Sequence, residues 1–149
     1  MVTQINSNTL HDTDFNLWIE QTVKQLKLGN FHEIDLENLI EEIESMGKSD
    51  KREVKTRLAV LLMHLLKWKY QSSKRSNSWL DTIREQRLQV SLLLKDSPSL
   101  KPLLEQEFEQ WYQYGRKEAA KETKLSLNTF PEFCPFTIEQ VLDSDFLPE

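Results

Sequence analysis

Glycine is scarce in this chain, with three among 149 residues. A β-rich fold needs glycine and its relatives at turn after turn to supply positive φ, so the scarcity argues against a sheet protein. Cysteine is scarcer still. The lone Cys134 excludes an internal disulfide and any cysteine-rich zinc site, and no motif around it marks a nucleophile. Long apolar runs are also missing. The longest, Leu58 to Leu66, is broken by His64 and falls far short of the ~20 residues a membrane-spanning helix needs. The polar start, Met1 to Leu10, lacks the cationic and apolar parts of a secretory signal. These absences predict a chain that works in a reducing, cytoplasmic setting, away from the membrane.

What is present has a helical rhythm. Hydrophobic residues make up 38% and charged residues 29%, which are globular values, and 149 residues suit one domain. A first helix is expected to start at Asp12, Thr13 or Asp14, whose short side chains can accept from first-turn amides. Phe15, Trp18, Ile19, Val23 and Leu26 then follow at helical spacing up to Gly29. Leu36, Leu39, Ile40, Ile43 and Met46 set a second helix over 35–46, with Gly47 as its stop. Ser49 or Asp50 would cap a third helix reaching about Tyr70, antiparallel to the second because the link is so short. The polar stretch 71–77 reads as a loop. Ser78 would cap a fourth helix to about Asp96, with Ile83, Val90 and Leu94 toward the core, and a fifth follows Pro98 to about Thr123.

Beyond Leu125 the character changes. Pro131, Pro135 and Pro148 are interspersed with Phe130, Phe133, Phe136 and Phe146, which reads as an irregular arm docked on the bundle. Thr137 and Gln140 have capping-box spacing for one short helix within it. The expected fold is therefore all-α: a bundle of about four to five helices with an irregular C-terminal arm carrying one short helix. Residues 1–11 would be a flexible N-terminal segment and 12–149 a single helical domain, with 125–149 as its arm.

Two groups of residues are candidates for function. Residues 33–46 hold six carboxylates and no lysine or arginine. Within them Glu37, Glu41 and Glu44 stand at i, i+4, i+7, one stripe along the border of the apolar face. A tight turn at Gly47 would bring Arg57 to the level of Glu41 and His64 near Glu37, and Arg87 falls on the core side of the fourth helix. This cluster is either a polar site, with carboxylates as ligands or base, His64 as ligand or proton carrier and the arginines as anion binders, or a structural ion-pair network. The network is the simpler reading, because the paired Glu-x-x-His ligands of di-iron bundles are absent and three histidines supply little zinc chemistry.

The second group is basic. From Lys67 to Arg87 six cations stand against two acids. Lys67, Lys69, Lys74, Arg75 and Arg84 are interleaved with Trp68, Tyr70 and Trp79, a mixture suited to phosphate contact and base stacking. Against nucleic acid stand the net charge of −5 and the lack of any recognised nucleic-acid module.

Several segments together resemble a known family. They are Asp12-Thr13-Asp14-Phe15 with Trp18, the run Asp35 to Glu44, His64-Leu65-Leu66-Lys67-Trp68, Trp79 with Ile83 to Arg87, Ser97-Pro98-Ser99-Leu100, and Phe130-Pro131-Glu132 with Cys134-Pro135. From Asp12 to Pro148 the chain resembles the bacterial family of domain of unknown function 29, common in cyanobacteria. The resemblance implies an α-helical fold and no established activity, substrate or cofactor. Relatives often carry an aromatic residue where His11 stands, which weakens a role for that histidine. The expectation is a non-catalytic module that binds protein, without metal or cofactor. An enzyme using the Glu/His/Arg cluster and a weak nucleic-acid binder using 67–87 are the alternatives.

Overall fold

The structure, a computed structural model, describes residues 10–149. The expectation of a flexible N-terminal segment falls, for residues 1–9, outside the described residues. Helix α1 spans Phe15–Leu28. Asp14 caps it by accepting from the Leu17 amide at 3.0 Å, which satisfies one of the four free amides of the first turn. Gly29 ends it at φ 76°, donating to the carbonyls of Gln25 and Leu26. That left-handed cap favours glycine because a Cβ would be strained there.

Helix α2 spans Leu36–Tyr70, 35 residues without interruption. The hairpin expected at Gly47 does not form, and Ser49 and Asp50 are interior helical residues rather than caps. An interior glycine costs a helix only about 1 kcal/mol. The strong helix formers on both sides of Gly47 offset that cost, so the glycine is crossed instead of used as a stop.

Helix α3 spans Asn77–Asp96. Its cap is Ser76, which accepts from Trp79 N at 3.2 Å, two residues before the expected Ser78. Helix α4 spans Leu100–Thr123. Pro102 lies in its first turn, where a missing amide removes no helical hydrogen bond. Helix α5, Ile138–Leu142, starts with the expected capping box, formed in both directions by Thr137 and Gln140. No strand occurs among the described residues, and the protein is all-α.

The chain forms two compact units, Met1–Ser49 and Asp50–Glu149. In the second, Val54, Leu58, Leu61, Leu62, Leu65 and Leu66 of α2 are completely buried. At 100° per residue these positions fall within an arc of about 140°, one broad apolar face turned to the core. Ile83 and Val90 of α3, Leu104 and Tyr112 of α4, and Phe130, Phe136 and Val141 of the arm complete this core. At Gly115 α4 comes so close to α2 that a Cβ would lie 3.0 Å from the Ala59 carbonyl oxygen.

The arm is held by its own main chain. Tyr112 donates to the Pro131 carbonyl at 2.5 Å, Arg116 donates twice to the Phe130 carbonyl at 3.0 and 3.1 Å, and Arg87 donates to the carbonyl of Val141 at 2.8 Å. Buried carbonyls freed by the irregular backbone thus find charged or phenolic donors.

The first unit is different. Of the α1 stripe only Trp18 and the adjacent Thr22 are buried. Phe15, Ile19, Val23 and Leu26 remain 45, 40, 42 and 41% exposed, and Leu36, Ile40, Ile43 and Met46 of α2 are 53, 53, 59 and 67% exposed. The periodic stripes are present as expected, yet about half of the surface of these eight residues stays exposed.

Candidate interaction surface

Both helical stripes of the first unit have one buried edge and one bare edge. On α1, Trp18 and Thr22 lie at one margin of the stripe, and Phe15, Ile19, Val23 and Leu26 lie beside them. At 100° per residue these last four fall within one quadrant of the helix. On α2 the order around the helix is sharper. Leu39 and Glu42 are half-buried. Next come the exposed Leu36, Ile40 and Ile43, and beyond them Glu44, Glu37 and Glu41, also exposed. An apolar strip is thus bordered on its solvent side by three carboxylates at i, i+4, i+7.

His11 organises the buried edge, a role the sequence reading missed. Its Nε2 lies 2.9 Å from Glu42 Oε1. Its ring meets Trp18 edge-on with centroids 4.7 Å apart and Phe15 at 5.5 Å. An imidazole serves here as an aromatic partner that also carries a polar handle. The Glu42 hydrogen bond, more than the nearby charges, raises the His11 pKa above its ordinary value.

The residues of the expected Glu/Arg/His cluster find other surroundings. The juxtaposition rested on a reversal at Gly47, and α2 has none. Arg57 donates to Glu53 at 3.3 Å and to the Gln86 side-chain oxygen at 3.2 Å. His64 Nδ1 lies 2.9 Å from the Val60 carbonyl, which can only accept, so the proton sits on Nδ1. Burial pushes the His64 pKa below its ordinary value. Arg87 lies on the core side, as expected, with 6% exposure. Its partners are the carbonyls of Val141 and, at 3.3 Å, Gln140, where a guanidinium complements the negative end of α5. Glu37, Glu41 and Glu44 form no ion pair among the described residues.

The basic, aromatic segment divides into separate contacts. Lys67 is buried and pairs with Glu122 at 2.7 Å, its ammonium 4.7 Å from the Trp79 ring centre. Lys69 lies over Tyr70 at 5.7 Å and Arg75 over Trp68 at 4.9 Å. Arg75 also donates to the carbonyl oxygens of Trp68 and Glu149 at 2.7 and 2.6 Å. Each of the three rings therefore already carries one of the chain's own cations. Lys74 joins Lys67, Trp79, Glu122 and Lys124 around an open groove of about 530 Å³. Arg84 is exposed on α3.

Among the described residues no group of three or more His, Cys, Asp or Glu side chains is placed to hold a metal ion. No described helix is long and apolar enough to cross a membrane. Cys134 is a free thiol whose pKa burial pushes up to about 12. No curated protein and no solved structure shows significant similarity to the chain. The all-helical architecture and the motifs from Asp12 to Pro148 agree with a family match over residues 10–147, and the chain belongs to the family described as domain of unknown function DUF29.

Proposed function

We propose that the chain is a non-catalytic, cytoplasmic interaction module that binds a protein through the bare apolar face of its first unit. The observation that carries this reading is the exposure of Phe15, Ile19, Val23, Leu26, Leu36, Ile40, Ile43 and Met46, each 40–67% accessible. Single exposed apolar residues are ordinary, but stripes of them at helical spacing on each of two helices are what interaction surfaces present. The exposed part of these eight side chains equals about four complete ones, so covering them contributes roughly 6–12 kcal/mol. That is comparable with the ~4–15 kcal/mol that association itself costs. A partner must therefore cover the whole face or add polar complementarity.

The test is site-specific photo-crosslinking in host cells. A benzophenone side chain at Ile43 is expected to give a discrete protein adduct, and the same group at Leu88, an exposed residue of the second unit, is expected to give none. Equal adducts at both positions, or none at Ile43, would overturn the reading.

A further inference from the structure

We infer that the occupant of this face is a cationic amphipathic helix of another protein, lying along Leu36, Ile40 and Ile43 with its basic side chains against Glu37, Glu41 and Glu44. The inference rests on the interaction reading above and adds the chemistry of the partner.

Charge is unevenly divided in this molecule. Residues 1–49 carry nine carboxylates against three lysines, whereas residues 50–149 carry fifteen carboxylates against sixteen lysines and arginines. The first unit therefore holds more than the whole net charge of −5. Its negative potential is concentrated where the apolar surface is bare. Glu42 is engaged by His11, while Glu37, Glu41 and Glu44 are exposed and form no ion pair among the described residues.

The order around α2 defines what fits. A helix laid on the apolar strip inserts side chains at i, i+3 or i+4, and i+7, as helices do in apolar grooves. Its flanking residues then pass the acidic border, whose carboxylates repeat once per turn. Lysine or arginine at the same period meets all three, and acidic or neutral flanks meet none. The strip from Leu36 to Met46 is about 15 Å long, so it takes a partner helix of roughly three turns.

A second copy of the chain offers a poorer match. Facing first units would set nine carboxylates against nine, relieved by Lys24, Lys27 and Lys48 alone on each side. Like charges so juxtaposed act against association.

The experiment uses the full chain and a fluorescein-labelled 14-residue peptide of leucine and lysine, with leucine at helical spacing. Saturable binding that weakens as salt rises is expected, because the border charges are exposed. Glu37→Gln/Glu41→Gln/Glu44→Gln is expected to weaken it by roughly tenfold or more, and Ile40→Asn/Ile43→Asn to abolish it. Asp96→Asn/Glu105→Gln, which removes two exposed charges of the second unit, is expected to leave binding unchanged, and a leucine–glutamate peptide is expected not to bind. Circular dichroism checks that each variant keeps its helix content.

Equal losses in the triple variant and the second-unit control would show unspecific charge attraction and overturn the inference. So would sedimentation equilibrium showing a dimer that Ile40→Asn/Ile43→Asn dissociates, since the occupant would then be a second copy. If the peptide does not bind while the Ile43 cross-link to another protein persists, the cationic helix is wrong and the interaction reading survives.

Discussion

Arg87 and Val141 are joined by a 2.8 Å hydrogen bond from the guanidinium Nε to the main-chain carbonyl. With the second bond to Gln140 at 3.3 Å, one buried arginine of α3 closes the C-terminal end of α5 and ties the arm to the helices of the second unit. Main-chain acceptors, not a carboxylate, are what this side chain serves.

Arg87→Met is therefore expected to destabilise the protein by about 2–3 kcal/mol, the cost of losing charge-assisted bonds and leaving buried carbonyls without donors. Urea unfolding followed by circular dichroism measures it. Arg87→Lys keeps the charge but loses the forked geometry and is expected to fall in between. A neutral Arg87→Met would mean that the arm is not held by this contact.

The two interior glycines should respond in opposite senses to alanine. At Gly115 the new methyl would sit 3.0 Å from the Ala59 carbonyl oxygen and 3.4 Å from Leu62 Cβ. Forcing α4 away from α2 is expected to cost about 1–3 kcal/mol. At Gly47 a Cβ meets nothing within 4 Å, so Gly47→Ala is expected to stabilise α2 by up to about 1 kcal/mol. Thermal unfolding of the two variants gives both signs at once.

These glycines also show what the sequence could and could not reveal. Gly29 and Gly47 each follow a helical apolar stripe, yet only Gly29 adopts positive φ. The residue permits a stop without requiring one, and the helix formers beyond Gly47 decide the outcome. The Glu41–Arg57 level depends on a stop at Gly47, and the continuous α2 does not provide it. Capping signals divide: Asp14 and the Thr137–Gln140 pair bond to nearby amides as expected, whereas Ser76 takes the place of Ser78 and α2 runs through Ser49 and Asp50. The apolar stripes of the first unit were legible as stripes. Periodicity shows that Ile40 and Ile43 share a face but not whether that face meets the same chain or another. The grip of Arg75, Arg87 and Arg116 on the arm was hidden for a different reason: every residue has a carbonyl, so the sequence does not distinguish the ones that accept.

Cys134 should be a slow nucleophile in the folded chain. Its thiol is pushed up to about 12, chiefly by burial, and the thiolate is the reactive form. At pH 8 an aromatic disulfide reagent is expected to label the native protein far more slowly than the urea-unfolded protein. Labelling at the unfolded rate under native conditions would show that the environment around Cys134 is not closed.

The His11–Glu42 pair makes a pH prediction of definite sign. The hydrogen bond to Glu42 raises the His11 pKa above its ordinary value of 6.5. A raised folded-state pKa means that the folded protein holds this proton more tightly than the unfolded chain does. The stabilisation is therefore complete below about pH 6.5 and disappears as pH rises through the folded-state value. His64 acts in the opposite sense. Burial lowers its pKa, so its contribution is present above pH 6.5 and fades as pH falls through the folded-state value. NMR titration of the imidazole Cε1 protons separates the two: His11 is expected to titrate above 6.5 and His64 below it. Glu42→Gln removes the carboxylate that holds the His11 proton, so it should return the His11 midpoint toward 6.5 and leave the His64 midpoint in place. A His11 midpoint unmoved by Glu42→Gln would show that the pair does not form in solution.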